Sequence, residues 1–226
     1  MNTDLAQPTD PPFSEIQDRG LLEVEDLHTH FRTGKGMVRA VDGVSLRLDR
    51  GQTLGVVGES GSGKSVLIRS IMRLMPKRNV EHGGVVLYKG ENLLDMPDNR
   101  VRDMWGTEMA MVFQDPMTSL NPVLKVGRQI TEGLRFHLGM ARAAADQNAL
   151  ALLEAVGIPE PRKRLKQYPH ELSGGMRQRI MIAIALACGP KLLFADEPTT
   201  ALDVTVQAQI LNLLGDQQHE RDKAMV

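Results

Sequence analysis

The sequence predicts an α/β fold in which a buried parallel sheet is accompanied by a smaller antiparallel group of strands. The apolar run Thr53–Val57 leads directly into the glycine-rich segment Gly58–Gly63 and a helical segment, Lys64–Leu74. A second apolar run, Lys191–Ala195, ends in two carboxylates, and the segment Val44–Leu48 alternates between apolar and polar residues. Short apolar runs are typical of strands buried in parallel sheets, and strand, turn and helix form half of a βαβ unit.

Further patterns predict the remaining elements. Alternation and β-branched residues predict strands at Leu21–Leu27, Ala40–Leu48 and Val85–Tyr88. Apolar residues at helical spacing predict helices in three segments: Pro122–Gly157, Gly174–Ala187 and Val204–Arg221. The last three residues, Ala224 to Val226, resemble the beginning of another strand.

Composition is that of a soluble globular domain. The chain has 226 residues, of which 42% are hydrophobic and 24% charged, and its net charge of -1 gives no general attraction to nucleic acid or anionic lipid. No run approaches the roughly 20 apolar residues of a membrane span. Residues 1–20 carry three prolines and four acidic residues, which predicts a mobile tail rather than a signal peptide. The single cysteine, Cys188, lies in an apolar run and is expected to be buried.

A phosphate-binding motif follows the first apolar run. It fits the pattern G-x-x-x-x-G-K-[ST] with Gly58, Glu59, Ser60, Gly61, Ser62, Gly63, Lys64 and Ser65. Glycines let several backbone amides turn toward one point, and the helix N-terminus adds partial positive charge. Lys64 can then reach the β- and γ-phosphates, while the Ser65 hydroxyl can ligate Mg²⁺. The alternative is a turn that binds nothing, which the position between strand and helix disfavours.

Two other motifs add chemistry. Asp196 and Glu197 end the second apolar run, where a parallel sheet binds ligands, so Asp196 is expected to hold Mg²⁺ and Glu197 to polarise an attacking water. Alone, they could equally be solvated acids. Ser173, Gly174 and Gly175 open a helix, which makes either a second anion site or a simple helix cap.

Along the chain, the phosphate-binding motif comes first, the Ser173 motif second and the two carboxylates third. Together, in that order, the three motifs resemble the ABC transporter ATPase family. The resemblance implies ATP and Mg²⁺ as cofactors, with Lys64, Gln114 and Glu197 catalytic and Gln114 contacting Mg²⁺ as well as the attacking water. It also implies nucleotide contacts from Asp203, from Phe31 as an adenine-stacking aromatic after the first strand, and from the segment Ser173–Gly175.

Within that family, three stretches are similar to the importers of peptides and nickel. They are Phe113–Pro122, Tyr168–Arg179 and Pro198–Gln207, and Met176 replaces a glutamine as is typical of that subgroup. The resemblance implies uptake of dipeptides, oligopeptides or nickel across a bacterial inner membrane.

The same resemblance implies the domain plan and the partners. Residues 21–226 would form one nucleotide-binding domain with an inserted helical subdomain at about 116–187, peripheral to the cytoplasmic face of the inner membrane. A second ATPase subunit, identical or paralogous, would complete each ATP site. The other partners would be transmembrane permease subunits and, indirectly, a substrate-binding protein. No nucleic-acid partner is expected, because the chain has one cysteine, no heptad run and one cassette.

Two points stay open in the sequence. The family carries a switch histidine on the strand that Ala224–Val226 would begin, so the domain is expected to be incomplete at its C-terminus. The alternative function is therefore a nucleotide-binding module that cannot hydrolyse ATP alone. His28 and His30 would share one strand face, but the sequence shows no third ligand, so no metal site is predicted there.

Overall fold

The computed structural model describes residues 20–198, 207–208, 210–212, 214–215 and 223–226. The strands are β1 (Gly20–Thr33), β2 (Gly36–Asp49), β3 (Val80–Tyr88), β4 (Glu91–Asn92), β5 (Met109–Val112), β6 (Leu192–Ala195) and β7 (Ala224–Met225). The helices are α1 (Lys64–Ile71), α2 (Asp98–Met104), α3 (Pro116–Ser119), α4 (Val126–His137), α5 (Arg142–Ala155), α6 (Pro161–Arg164) and α7 (Gly174–Leu186), with a 3-10 turn at Pro169–Glu171. Among these described helices, none is long and apolar enough to cross a lipid bilayer.

The N-terminal strands form an antiparallel sheet in the order β2-β1-β3-β4. Strand β1 buries Leu22 and Val24 against the core, as the alternating sequence predicts, and also Leu27, which follows a register shift after Val24. Register shifts interrupt the pairing of β1 with β2 between Val24 and His30. Such bulges bend a strand and change where its side chains point.

The second sheet is parallel, in the order β5-β6-β7, and lies between two hydrophobic cores. In β5, Met109 and Met111 join the core shared with the antiparallel sheet, while Ala110 and Val112 join the core shared with the helices. A strand covered on both faces is apolar at every position. The α/β fold with an added antiparallel sheet is thus confirmed.

The predicted strand at Thr53–Val57 is not formed. Thr53 makes an isolated parallel bridge with Met225, and the Leu54 amide donates to the Met225 carbonyl at 2.8 Å, but residues 54–59 have no strand pairing. Val57 is 97% exposed. A strand forms only beside a neighbour that supplies backbone hydrogen bonds, and no described strand pairs with residues 54–59.

The segment between β5 and β6 contains only helices and turns. The single helical pattern predicted at Pro122–Gly157 is two helices, α4 and α5, because the chain turns at Gly139, whose φ is +62°. The last predicted helix, Val204–Arg221, lies largely outside the described residues, and those described between 207 and 215 are helical. Residues 1–19, which hold the predicted tail, are also outside them.

A charged cluster around Glu108 joins the two sheets. Its carboxylate accepts from the Tyr88 hydroxyl at 2.9 Å, from the Lys191 ammonium at 2.7 Å and from the Lys89 ammonium. Burial raises the pKa of Glu108, but hydrogen bonds from Lys191, Lys89 and Tyr88 together lower it below its ordinary value of 4.5. The ionised carboxylate therefore ties the end of β3 to the beginning of β6.

Candidate functional site

The glycine-rich loop is closed by its own lysine. The Lys64 ammonium donates to the carbonyl oxygens of Gly58 at 2.8 Å and Glu59 at 2.9 Å, so the charge lies inside the loop. Gly61 and Gly63 have φ values of +82° and +94°, which side chains rarely allow. Helix α1 begins immediately after Gly63, so its free amides and the lysine charge face the same loop.

The loop also lies close to the antiparallel sheet. A Cβ atom added at Gly63 would approach the carbonyl oxygen of Ala40 in β2 to 2.2 Å. By contrast, a Cβ added at Gly61 would meet no atom within 4 Å. The glycine at position 63 is therefore required both for its backbone angle and for this close packing.

The carboxyl ends of β5 and β6 bring two predicted site residues into contact. Gln114 follows β5 and Glu197 follows β6, and the Gln114 side-chain amide donates to the Glu197 carboxylate at 3.0 Å. Glu197 has a φ of 49°, a left-handed angle that non-glycine residues seldom adopt and that is common at functional sites. Parallel strands end at the same edge of a sheet, which is why residues 83 positions apart meet here.

Asp196 is suited to a cation. It is only 3% exposed, and its Oδ2 is buried without a hydrogen-bond partner among the described residues. A buried carboxylate oxygen without a partner is costly, and a hard cation such as Mg²⁺ prefers such oxygen ligands. The residues at this edge of the sheet therefore fit Mg²⁺.

The glycine pair at the start of α7 is accessible. The Ser173 hydroxyl oxygen accepts from the Met176 amide at 3.3 Å, and both Ser173 and Gly174 are exposed. Farther along the helix, Gln178 is fully buried and its amide donates to the Pro198 carbonyl at 2.5 Å. This contact fixes α7 against the segment that follows Glu197.

Residues 41–200 match the family described as ABC transporter, over well more than half of the chain. The chain belongs to the ABC transporter family.

Similar ABC proteins include two oligopeptide transport ATP-binding proteins named OppD. The OppD of Bacillus subtilis (strain 168) is 54% identical over 91% of this chain, and that of Escherichia coli (strain K12) is 49% identical over 95%. The alignments cover 58% and 64% of those two proteins, so the chain spans about six-tenths of their length.

Solved ABC structures share the fold. A dimeric, post-hydrolysis structure of the ATP-binding cassette MJ0796 bound to ADP and Pi has a TM-score of 0.83 and 28% identity, covering 91% of this chain and 86% of that one. A second dimeric structure of the same bacterial ABC transporter cassette has a TM-score of 0.81 and 26% identity, with the same coverage. The ABC ATPase fold predicted from the motifs is confirmed.

Two residues predicted to contact the nucleotide, Phe31 and Asp203, are not part of the geometry described above. Phe31 lies within β1, which continues to Thr33, and not after the first strand as predicted, because β1 pairs with β2 and β3 on both sides up to this point. The side chain of Phe31 is half-buried. Asp203 lies outside the described residues.

Sequence patterns missed three features that shape this ABC site: Gln178, strand β5 and the packing of Ala40 on the loop. Gln178 is polar within a helix of buried apolar residues, and that contrast is a sequence feature that could have identified it. Strand β5 was also missed, although its four apolar residues resemble the other buried strands and lead directly toward Gln114. The packing of Ala40 on the loop has no sequence pattern.

Proposed function

We propose that this chain binds and hydrolyses ATP to drive the import of peptides through an ABC transporter. The observation that carries the proposal is the contact between Gln114 and Glu197, at the sheet edge where Asp196 Oδ2 is buried without a hydrogen-bond partner among the described residues. A glutamine, an exposed carboxylate and a buried carboxylate are the groups that an ATPase uses to position water and a metal ion. The peptide assignment is supported by the names of the OppD relatives.

In the proposed mechanism, the loop amides and the Lys64 ammonium bind the phosphates of ATP and stabilise their charge. Ser65 and Asp196 would hold Mg²⁺, which when bound neutralises negative charge on the phosphate oxygens. The Glu197 carboxylate accepts a hydrogen bond from the attacking water and increases its nucleophilicity. Gln114, which donates a hydrogen bond to that carboxylate, orients the carboxylate and the water.

The proposed partners are supported by exposed surfaces and by the names of similar proteins. The accessible Ser173–Gly175 segment is proposed to contact the ATP held by a second ATPase subunit, a dimer supported by the dimeric MJ0796 cassette. The helical subdomain at about 116–187 and the Gln114 loop are proposed to contact transmembrane permease subunits. The chain would then be peripheral to the cytoplasmic face of the inner membrane, receiving peptide indirectly from a substrate-binding protein.

Enzyme activity is tested with Glu197→Gln, which keeps the size of the side chain and removes its charge. We expect wild-type protein to release phosphate from ATP, and Glu197→Gln to bind ATP with unchanged affinity while losing at least about 100-fold in rate, within the range for a general base. Glu132→Gln, an exposed glutamate on α4, is the matched control and should retain full activity. ATP binding by a wild-type protein without phosphate release would favour the non-hydrolysing module instead.

The cargo is tested by uptake in cells of the source organism that carry Glu197→Gln or, as a control, Asp103→Asn in the chromosomal gene; Asp103 is an exposed acid on α2, outside the proposed permease contact. We expect Glu197→Gln to stop accumulation of a labelled tripeptide, with uptake unchanged in Asp103→Asn. Loss of labelled Ni²⁺ uptake with normal peptide uptake would overturn the peptide assignment in favour of nickel.

A further inference from the structure

Three potential metal ligands meet on the antiparallel sheet, on two strands that carry none of the proposed catalytic groups. His28 and His30 are two positions apart in β1, so their side chains share a face. Asp42 comes from the neighbouring strand β2, where it follows Val41, the partner of Thr29, and lies in an irregular part of the pairing beside both histidines. The sequence alone offered two ligands, and the strand pairing supplies the third that it lacked.

One carboxylate oxygen is shared by both rings. Asp42 Oδ1 is 2.9 Å from His30 Nε2 and 3.2 Å from His28 Nδ1. Two ligands of a tetrahedral Zn²⁺ ion are separated by about 3.3 Å, given metal–ligand bonds of about 2.0–2.1 Å. One ligand atom from each of the three residues lies within 4.8 Å of the others. The other oxygen of Asp42 is engaged by Arg39 at 3.4 Å, which leaves Oδ1 to the histidines.

A fourth residue orients the first histidine. His28 Nε2 is 3.0 Å from the Asp26 carboxylate, close enough for the ring to donate a hydrogen bond there. The other ring nitrogen, Nδ1, then faces the Asp42 carboxylate, whose negative charge attracts a cation to the space between them. Carboxylate, histidine and metal in series is the usual arrangement around zinc, where the outer carboxylate sets the ring orientation.

We propose that His28, His30 and Asp42 form a binding site for a divalent transition-metal ion of the Zn²⁺ class. Two imidazole nitrogens and one carboxylate oxygen suit Zn²⁺, Co²⁺ or Ni²⁺ and do not suit Mg²⁺, which prefers oxygen ligands alone. The side chains of His28, His30 and Asp42 are 32%, 19% and 43% exposed, so an ion and a water ligand can enter from solvent. The bound ion would join β1 to β2 one residue before Phe31.

The test uses Co²⁺ as a spectroscopic probe, added to metal-stripped chain without nucleotide and with excess Mg²⁺ to occupy oxygen-only sites. We expect one Co²⁺ per chain with the intense visible absorption of a tetrahedral ion, displaced by Zn²⁺. His30→Gln and Asp42→Asn should each weaken binding at least about tenfold, and Asp26→Asn should weaken it about tenfold through ring orientation. His170→Gln is the matched control, because His170 stacks on Tyr168 outside the cluster.

Thermal unfolding gives an independent measurement that does not depend on how well the variants fold. Zn²⁺ should raise the melting temperature of wild-type protein, and of His170→Gln equally, since a ligand that binds only the folded state stabilises it. No tetrahedral Co²⁺ band in the wild type, or a band that persists in both His30→Gln and Asp42→Asn, would overturn the site. In that case a proton alone bridges His28 and Asp42.

Discussion

Replacing Gly63 by alanine tests whether the phosphate loop depends on its packing against β2. Alanine at this position must adopt a φ of +94° and place its Cβ 2.2 Å from the Ala40 carbonyl oxygen. The matched variant is Gly61→Ala, which has a similar φ of +82° and no atom within 4 Å of the new Cβ. The two variants therefore share the backbone strain and the altered entropy of the unfolded chain, and they differ in the steric contact.

The structure sets the expected magnitudes. Left-handed backbone costs a residue with a side chain about 1–2 kcal/mol, which is the expected loss of unfolding free energy for Gly61→Ala. Carbon and carbonyl oxygen rarely approach closer than about 3.3 Å, so β2 or the start of α1 must move by about 1 Å in Gly63→Ala. Overpacking of this kind costs about 1–3 kcal/mol more, giving a total of about 2–5 kcal/mol.

Urea unfolding, followed by circular dichroism, measures both variants against the wild type. We expect equal slopes and a lower midpoint for Gly63→Ala than for Gly61→Ala. Equal midpoints for the two variants would refute the inference that the loop packs on Ala40, because the backbone strain alone would then account for both.

Two further substitutions test contacts that join distant segments. Glu108→Gln should lower the unfolding free energy by about 1–2 kcal/mol at pH 7 by weakening the bonds to two lysines and a tyrosine, with exposed Glu154→Gln as an inert control. Folding lowers the pKa of Glu108 below 4.5, so the difference in unfolding free energy between wild type and Glu108→Gln should be fully present above about pH 6. It should shrink as the pH falls through the folded-state pKa, and a difference that grows in acid would contradict this role of Glu108. Gln178→Leu should cost about 1–3 kcal/mol in urea unfolding by leaving the Pro198 carbonyl without its donor, whereas Leu at exposed Gln147 should change stability by less than about 0.5 kcal/mol. Equal effects of the two leucine variants would show that the buried bond contributes nothing.

Local sequence patterns were sufficient to predict the elements that depend only on residues close together in the chain. Period-two alternation located β1 and β2, and the Ser173 cap with its two glycines located the start of α7. The phosphate loop was identified because glycine angles, lysine charge and helix start follow one another along the chain. Such features require no knowledge of distant residues.

The same patterns failed where pairing decides the structure. Residues Thr53–Val57 have the composition of a buried strand, yet a strand forms only where a neighbour supplies hydrogen bonds, and no described strand pairs with residues 54–59. Strand β1 extends past its predicted end at Leu27 to Thr33 because both neighbours continue to pair with it. Composition cannot reveal the length of a partner strand.

The sequence by itself determined the chemical groups of this protein: a phosphate loop with its lysine, two carboxylates after an apolar strand, and a glutamine and a serine with glycines in the order that the ABC family shares. Only the tertiary structure decided which of them meet. The contact between Gln114 and Glu197 joins the ends of two strands, and the meeting of Asp42 with His28 and His30 joins two others. Packing also leaves Asp196 Oδ2 buried without a hydrogen-bond partner among the described residues. Strand order and register set these distances, and both depend on packing across the whole sheet rather than on any local run of residues.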